Sequence, residues 1–458
     1  MLAFAFAGCS DDGGMPGDGG SADASVFDAS RSDDAGGVAR PHPTATFDPE
    51  TRISVDDPAG ATQREPSIGV TSRGAVHVVY MNDARIGGCR IINMSHVTAP
   101  DGRTLGVPVR VACPDAVCGD PVVLVDSADR VFLVYMDVAF SGPGCGDTLV
   151  RHVMLTRLDV PGAVPVQVDD DPAANTDRPW AAVDAEDRIW VTWVRGFHDA
   201  DREIRLSMSS DRGASFGPST HVAGGDAAEP NAPMFAPIAV APDGDLHVAV
   251  ARGQYDTISV RGFDLARAPA GSTAFEARSV PEVREPRPVC SDATPECADL
   301  ALAVYGFAGP SIDVAPDGTV WVLWGQQQDD PGDVHMMAGW SRDGLALEST
   351  TRVDDGATPA LRMLSWLDVD ERGRAHALWL DLRNATAWQA FHGVAAAPGE
   401  TFHPNTVLSA IAFGGSFDHL GEFVAIASRG DAVLAAWSGK DADRTRAEEI
   451  FFARGTVR

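Results

Sequence analysis

Residues 177–222 read DRPWAAVDAEDRIWVTWVRGFHDADREIRLSMSSDRGASFGPSTHV, and they contain one complete repeating unit of the chain. Ile189, Val191 and Trp193 occupy every other position of residues 188–194, a pattern typical of a half-buried strand. A short apolar run precedes this strand, and two further strands follow near residues 203–208 and 219–222. Four antiparallel strands joined by short turns cannot bury both faces alone, so we expect the unit to stack on copies of itself.

The chain contains seven copies of one pairing: an apolar residue, a polar turn and, ten residues after the first, a second core residue that is aromatic in six copies. The pairs are Val70 and Tyr80, Val125 and Tyr135, Val183 and Trp193, Val240 and Val250, Val314 and Trp324, Val369 and Trp379, and Ala427 and Trp437. The first members are 55, 58, 57, 74, 55 and 58 residues apart, which is typical of four-stranded propeller blades with long loops. We therefore predict an all-β, seven-bladed β-propeller. A six-bladed ring and a β-sandwich are the alternatives, but sandwiches lack a fixed ten-residue pairing.

The two ends of the chain predict how the ring closes. Residues 46–58 contain an extra strand, TRISV, before the first repeat, whereas one clear strand, near residues 449–453, follows the last marker, Trp437. The last blade therefore lacks an outer strand. We predict that residues 52–55 supply it by pairing with residues 449–453, which would protect two sheet edges.

The chain is strongly acidic, with 65 Asp and Glu against 36 Lys and Arg and a formal net charge of −29. Such a chain repels nucleic acids and anionic lipid surfaces, so we expect no nucleic-acid partner. The sequence contains no apolar segment of the length that a membrane-spanning helix needs.

The N-terminal sequence MLAFAFAGCS resembles a bacterial lipoprotein signal, in which the cysteine, here Cys9, becomes the lipidated first residue. Residues 10–40 consist mainly of Asp, Gly, Ser and Ala, which predicts a disordered acidic tether. We therefore expect a lipoprotein signal remnant at residues 1–8, a tether at residues 9–45 and the propeller at residues 46–458. The expected location is the bacterial cell envelope, as an outer membrane lipoprotein, or the extracellular space, with the membrane as a partner through the lipid anchor.

Six cysteines remain, an even number that is compatible with three disulfides in an oxidising compartment. The predicted pairs are Cys113 with Cys118, Cys290 with Cys297, and Cys89 with Cys145. The first two pairs are close in sequence, and the third lies in equivalent loops of neighbouring blades. A metal site is the alternative, but no CxxC pair or histidine cluster accompanies these cysteines.

The sequence contains no HExxH motif, no Gly-rich loop ending in Gly-Lys and no nucleophile elbow. Two acidic runs, residues 169–171 and residues 329–330 with Asp333, could bind calcium. Neither run has the spacing of a complete calcium loop, and solvated acidic turns explain them equally well. We therefore expect no cofactor.

Residues 209–216, SSDRGASF, match the Asp-box motif S-x-D-x-G-x-[T/S]-[F/W]. In this respect the chain resembles the sialidase-like (BNR/Asp-box) propeller superfamily, in which the motif joins the third and fourth strands of a blade. Ser209, Asp211 and Ser215 can bond the backbone of the turn, Gly213 takes the unusual dihedrals and Phe216 packs underneath. Eroded copies occur at residues 341–344 and 399–402. The resemblance covers residues 46–458 in architecture and does not specify an activity.

Sialidases hold the substrate carboxylate with three arginines and use a tyrosine nucleophile paired with a glutamate. In this chain Gln63-Arg64-Glu65-Pro66 stands where that family has [F/Y]-R-I-P, with departures at Gln63 and Glu65. Arg178 and Arg362 hold similar places in the third and sixth repeats, and Tyr255 and Tyr305 are the tyrosines outside the framework. The alternative is that these arginines are loop charges that pair with the many Asp residues.

In a propeller blade the first strand begins, and the second strand ends, on the same face of the disc, so the residues there gather around one funnel. The ligand-binding candidates at these positions are Arg64, Arg178, Arg362, Asp83, Arg85, Asp381, Arg383, His419 and Glu422. Guanidinium groups suit carboxylates, so we expect a small anionic or sugar-like ligand. The favoured function is a cell-surface or secreted binding or scaffold module for a glycan, an anionic ligand or a surface protein, without enzyme activity. The alternative is a sialidase-like exo-glycosidase or lyase, because the fold does not decide between them.

Overall fold

The computed structural model describes residues 42–54, 62–86, 89–113, 117–140, 148–170, 175–196, 201–226, 231–254, 259–281, 283, 309–329, 333–383, 388–409, 423–439 and 448–458. Within these ranges, the side chains of residues 84–86, 89–91, 140, 148–149, 254 and 259–261 are not described.

The described strands form seven antiparallel sheets, one for each predicted repeat. Blade 1 comprises β3 (Thr62–Val70), β4 (Val76–Ile86), β5 (Cys89–Ala99) and β6 (Val109–Arg110). Blade 2 comprises β7 (Val117–Val125), β8 (Val131–Phe140), β9 (Thr148–Arg157) and β10 (Val166–Gln167). Blade 3 comprises β11 (Thr176–Val183), β12 (Ile189–Arg195), β13 (Glu203–Ser209) and β14 (Thr220–Gly224). Blade 4 comprises β15 (Ala232–Phe235), β16 (Ile238–Val240), β17 (Leu246–Gln254), β18 (Ser259–Ala268) and β19 (Glu276–Ser279).

Blade 5 comprises β20 (Ser311–Val314), β21 (Val320–Gln327), β22 (Val334–Ser341) and β23 (Ser349–Arg352). Blade 6 comprises β24 (Arg362–Val369), β25 (Ala375–Asp381), β26 (Gln389–Ala395) and β27 (Thr406–Val407). Blade 7 comprises β28 (Ala425–Arg429), β29 (Ala432–Gly439) and β30 (Glu449–Val457), together with β1 (Ala45–Phe47) and β2 (Thr51–Arg52). The first strand of each blade contacts the first strand of the next, and β28 contacts β3, so the ring is closed. The prediction of a seven-bladed propeller is confirmed.

The N-terminal segment supplies the outer strand of blade 7, as predicted. Strand β1 pairs with β30 through Ala45 and Val457, and β2 pairs with the same strand through Arg52 and Phe451. The pairing begins further towards the N-terminus than predicted, because both short strands use β30. Beyond β2, the amide of Ile53 still donates to the carbonyl of Ile450 at 2.9 Å.

The hydrophobic core contains one apolar cluster between each pair of neighbouring blades. An eighth cluster joins Met234, Phe235, Ala251 and Phe423, and Trp180 and Trp366 pack against it. Alternation along the second strand explains this arrangement: Val78 and Tyr80 pack against blade 7, whereas Val79 and Met81 pack against blade 2. The strand is therefore apolar on both faces, as in other sheets that are covered on both sides. None of the seven marker residues at the tenth position is more than 5% exposed. No helix that could span a membrane occurs in the part of the chain that the structure describes.

Candidate functional site

A central cavity of about 300 Å³ lies along the axis of the ring, and the innermost strands of all seven blades contribute to its wall. It is an expected consequence of the fold, because seven inner strands arranged in a circle cannot meet at its centre. Each inner strand begins at the face where the second strand ends. Glu65 in blade 1 and Arg178 in blade 3, both near the start of their strands, therefore mark the mouth of the cavity on the predicted functional face.

A β-bulge interrupts the innermost strand at this mouth in blades 1, 2, 3 and 6. At each bulge one residue that is not glycine has a positive φ: 55° at Glu65, 53° at Asp120, 49° at Arg178 and 49° at Leu364. Such conformations are uncommon for L-residues, cost on the order of 1–3 kcal/mol each and concentrate at functional sites. Proline follows the strained residue in the first three blades. The bulge recurs with a charged residue in blades 1 to 3, and all three charged residues line the cavity.

Aromatic side chains from three blades meet within the cavity. The rings of Trp180 in blade 3 and Trp366 in blade 6 stack with their centroids 4.4 Å apart. The ring of Phe423, which precedes β28 in blade 7, lies edge-on to Trp180 at 4.8 Å. Both tryptophans are half-buried, and the indole nitrogen of Trp180 is buried without a hydrogen-bond partner in the described structure. These aromatic side chains provide apolar surface in the cavity wall.

Two carboxyl groups, Asp313 in β20 and Asp368 in β24, also line the cavity. Asp313 accepts the backbone N–H of Val369 in the next blade at 2.7 Å, and Asp368 accepts the N–H of Ser428 at 2.8 Å together with its hydroxyl. Burial raises the pKa of Asp313 to about 6. Burial, and then the negative charge of Asp313, raise the pKa of Asp368 well above its ordinary value. One of the two therefore retains a proton near neutral pH.

Asp313 and Asp368 are not among the site residues predicted from the sequence, although the sequence contains a signal for them. They occupy the position just before the first member of each repeat pair. In the other blades that position holds Gly69, Leu124, Ala182, Ala239 and Ile426. An acidic residue at an otherwise apolar, inward-lying position of a repeat indicates a polar lining of the cavity.

The three arginines proposed as ligand contacts do not gather around the cavity. Arg64 is buried and binds Asp83. The side chain of Arg362 is fully buried, and its Nε lies 3.0 Å from a carboxylate oxygen of Asp381 and 3.1 Å from one of Asp354. Of the three, only Arg178 lines the cavity within the described part of the chain.

The remaining candidates have similar structural roles or lie outside the described residues. Asp381 also accepts from Arg383, whose guanidinium lies 4.0 Å from the ring centroid of Phe391 and binds Asp355. Burial opposes the charge of Arg383, but the bonds to Asp381 and Asp355 raise its pKa. The side chain of Arg85, together with His419 and Glu422, lies outside the described residues.

The acidic run at residues 169–171 belongs to a repeated device that the sequence interpretation missed. The sequence Val-Asp-Asp occurs at residues 55–57, 168–170 and 353–355, and the structure describes the last two copies. In both described copies the first Asp accepts the N–H of a strand residue in its own blade: Val153 donates to Asp169 and Met336 donates to Asp354. The second Asp binds the next blade, as Asp170 does by accepting the N–H and hydroxyl of Ser219.

These contacts link neighbouring blades, and the second copy includes Asp354, which also binds the buried Arg362. Asp333, from the other run considered for calcium, lies 3.4 Å from Arg362 as well. Asp330 and Asp171 lie outside the described residues. The described residues contain no group of three or more side chains that could hold a metal ion.

The Asp-box of blade 3 forms the turn between β13 and β14. The hydroxyl of Ser209 donates to Asp211 and accepts the N–H of Gly213, while Asp211 accepts the N–H of Ser215 at 2.9 Å. Hydrogen bonds from Ser215 and Ser209 lower the pKa of Asp211 to about 2. Phe216 packs against the core between blades 2 and 3. The copy at residues 341–344 forms the same bonds around Ser341.

One of the three predicted disulfides is present, between Cys113 and Cys118, whose Cα atoms are 6.0 Å apart. It precedes the bulge of blade 2 and connects the two ends of the segment that leads into β7. The side chain of Cys89 is not described, and Cys145, Cys290 and Cys297 lie outside the described residues. Their pairings therefore stay predictions.

No protein-family model and no curated protein sequence matches the chain. Solved structures match it in fold. A protein of unknown function from Dyadobacter fermentans DSM 18053 superposes with a TM-score of 0.54 at 12% identity, covering 90% of this chain and 99% of that one. A PL25 ulvan lyase bound to -[GlcA(1-4)Rha3S]- gives a TM-score of 0.52 at 10% identity, covering 88% of this chain and 95% of that one. The leech intramolecular trans-sialidase gives 0.48 at 14% identity, covering 73% and 67%. At these identities the similarity shows the fold alone.

Proposed function

We propose that the protein is a carbohydrate-binding propeller whose ligand enters the mouth of the central cavity. The observation that carries this proposal is the composition of the cavity wall. Aromatic residues from blades 3, 6 and 7 and charged residues from blades 1 to 3 line the same cavity, and the charged residues are those of the strained bulges. Small-molecule sites are usually concave and combine apolar and aromatic surface with a few placed polar groups, and this cavity contains both kinds of group.

Sugars suit this combination, because their C–H faces pack on aromatic rings and their hydroxyl groups bond to carboxylates and guanidinium groups. The PL25 ulvan lyase, whose fold this chain shares, was solved with a bound sugar, which is in keeping with the proposal.

The enzymatic alternative, a sialidase-type hydrolase or lyase, has less support from the geometry. Arg64 and Arg362 are already engaged by carboxylates of the chain. Tyr80 and Tyr135 are fully buried in the core, and Tyr255 and Tyr305 lie outside the described residues. A binding role requires none of these groups to act on a substrate.

A glycan array with purified protein tests the proposal, followed by titration of the best ligand against two tryptophan variants. Trp366→Ala removes a ring from the cavity, and Trp340→Ala removes an equally half-buried ring from the third strand of blade 5. We expect Trp366→Ala to weaken binding at least about tenfold, equivalent to about 1.4 kcal/mol. Trp340→Ala should keep the wild-type affinity.

Thermal melts confirm that each variant is folded, and Trp366→Phe replaces Trp366→Ala if the latter is not. The absence of any glycan ligand, or undiminished binding by a folded cavity variant, would remove the cavity as a sugar site. Incubation of the bound glycan with the protein, followed by measurement of its chain length, separates binding from cleavage. Shortened products would favour the enzymatic alternative.

A further inference from the structure

Two histidine pairs occupy the same position in blades 1 and 6. In blade 1, Nδ1 of His77 lies 3.0 Å from Nε2 of His96, and in blade 6, Nδ1 of His376 lies 3.2 Å from Nε2 of His392. Each pair joins the second residue of the second strand to a residue of the third strand, and its two rings are stacked. The surroundings differ, because the blade 6 pair is buried beside the strand that closes the ring.

A carboxylate fixes the positions of the protons in the blade 6 pair. Burial opposes the charge of Asp370, but hydrogen bonds from His376 and Arg374 outweigh burial and lower the pKa of Asp370. The ionised carboxylate can only accept, so Nε2 of His376, which lies 3.3 Å from it, is the donor. Nδ1 of His376 then accepts from Nε2 of His392. The single N–H of neutral His392 is used in this bond, and its Nδ1 has no partner among the described residues.

His392 also contacts the N-terminal strand. The centroid of its ring lies 5.2 Å from that of Phe47 in β1. Phe47 covers the backbone of Gly455 in β30, where an added Cβ would lie 2.7 Å from the phenyl ring. The hydroxyl of Thr406 in β27 donates to the carbonyl of Ala45 at 3.3 Å. Strand β1 is therefore held both by β30 of blade 7 and by His392 and Thr406 of blade 6.

A proton on Nδ1 of His392 would be poorly compensated. Asp370 is already shared by His376 and Arg374, and strands β1, β27 and β29 contain no charged residue. The charged and titratable residues of the neighbouring segments are exposed, as Asp48 is, or have partners of their own: His42 with the carbonyl of Thr401, Asp381 with Arg362, Arg429 with Glu371, Asp431 with Arg372, and Glu449 and Arg454 of β30 with Arg52 and the carbonyl of Gly102. Burial, and then the charge of His376, lower the pKa of His392 well below its ordinary value.

We propose that His392 makes the closure of blade 7 sensitive to acid, so that β1 detaches from β30 in mildly acidic solution while the other blades stay folded. Strand β1 is the part that yields, because it has three residues, lies at the outer edge of its sheet and is only half-buried at Phe47. Its departure uncovers the side of His392 that Phe47 occupies, so water can solvate the imidazolium. The device acts on the closure of the ring and does not depend on the ligand of the cavity.

The direction of the effect follows from proton linkage. The closed form keeps His392 neutral, whereas the open form binds a proton with the ordinary histidine pKa of 6.5. The closed form is therefore fully favoured above this pH and loses stability as the pH falls below it. The ratio of closed to open molecules decreases by up to about tenfold for each pH unit, or about 30-fold at pH 5.

Hydrogen exchange of the full chain at pH 7.5 and pH 5, detected by mass spectrometry and corrected for the intrinsic effect of pH, tests this inference. The informative amides join the N-terminal segment to β30, among them Thr44 and Arg458, each of which donates to the carbonyl of the other. We expect their protection to fall by up to about 30-fold at pH 5, while the strands of blades 2 to 5 keep theirs. Protection that does not change with pH at these amides, or an equal loss in every blade, overturns the proposal.

The variant His392→Gln removes the titrating ring and keeps an N–H donor for His376, so β1 should retain its protection at pH 5. The matched control is His96→Gln in the equivalent pair, because His77 lies on the same side of its strand as Val79, which packs against blade 2. In this control β1 should lose protection at pH 5 as in the wild type. His392→Phe replaces His392→Gln if the latter does not fold. A folded His392 variant whose β1 still loses protection at pH 5 refutes the role of His392.

Discussion

Replacing Asp368 with asparagine should stabilise the propeller at alkaline pH. The amide oxygen of the introduced side chain can still accept the N–H and hydroxyl of Ser428, which Asp368 now binds, while the charge near Asp313 disappears. Burial raises the pKa of Asp313 from 3.8 to about 6, and this difference is worth about 3 kcal/mol. The pKa of Asp368 is raised by the same burial and also by the charge of Asp313. We therefore expect Asp368→Asn to raise the free energy of unfolding at pH 8, and the shift of Asp313 gives the scale of the effect.

The sign follows from proton linkage. The folded state holds a proton that the unfolded state releases, so the contribution of Asp368 to stability falls as the pH rises from about 4 through its raised pKa. The gain from Asp368→Asn should therefore be small at pH 4 and should grow towards pH 8. At about 2.1 cal/mol/K per residue over about 400 residues, 3 kcal/mol corresponds to about 4 °C in Tm.

Differential scanning calorimetry between pH 4 and 8 measures this effect as the variant minus the wild type at each pH. The subtraction is needed because buried histidines titrate in the same range: burial lowers the pKa of His376 and His392, so their contribution decreases as the pH falls. A difference in Tm that is constant with pH, or a variant that is less stable at pH 8, would refute the reasoning.

Asp170 provides the matched control, because it also accepts the N–H and hydroxyl of a serine, Ser219. Burial tends to raise its pKa, but the hydrogen bonds from Ser219 outweigh burial and lower it. Its stabilising contribution is therefore present at neutral pH and is lost as the pH falls through the lowered pKa. Asp170→Asn should destabilise the protein at pH 7, opposite in sign to Asp368→Asn.

Gly344→Ala should lower the free energy of unfolding by about 2 kcal/mol or more. Gly344 has a φ of 69°, and a Cβ there would overlap the ring of His247. An unchanged thermal melt would contradict this expectation. Removal of residues 1–54 should expose the outer edge of blade 7 and cause a lower Tm or self-association, measured by calorimetry and size-exclusion chromatography; a monomer with the wild-type melt would disprove the role of closure. Cys9 should incorporate labelled palmitate when the protein is expressed in bacteria behind a complete signal sequence, and equal labelling of Cys9→Ser would rule out lipidation at this residue.

Much of the fold could be predicted because its signals are local and repeated. Each pairing, such as those that end at Tyr80 and Trp379, lies within ten residues and recurs once per blade. It reflects the burial of the second strand of the blade on both faces. The Asp-box could be predicted for the same reason, since Ser209, Asp211 and Gly213 bond one another within a single turn. Ring closure followed from the missing strand after Trp437.

The environment of the arginines could not be predicted in the same way. Arg362 is buried because Asp354, from the preceding blade, reaches it across the interface, and no spacing within one repeat shows that contact. The bulges could not be predicted either, because neither Glu nor Arg prefers a positive φ, and the conformation of Glu65 and Arg178 therefore has no local signal in the sequence. Periodicity thus revealed the ring, whereas the chemistry of its centre depended on contacts between blades.

The closure of blade 7 also has a consequence for the order of folding. Strands β1 and β30 lie at opposite ends of the propeller sequence. During synthesis, β1 therefore cannot pair until β30 has been made. Contacts between neighbouring blades 1 to 6 can form as each repeat emerges, because they join segments close in sequence. We therefore expect the pairing of β1 with β30, and the contacts between blades 7 and 1, to form last and to be the slow step. Pulse-labelled hydrogen exchange during refolding would show this as late protection of Phe47 and Gly455, and simultaneous protection of all blades would exclude it.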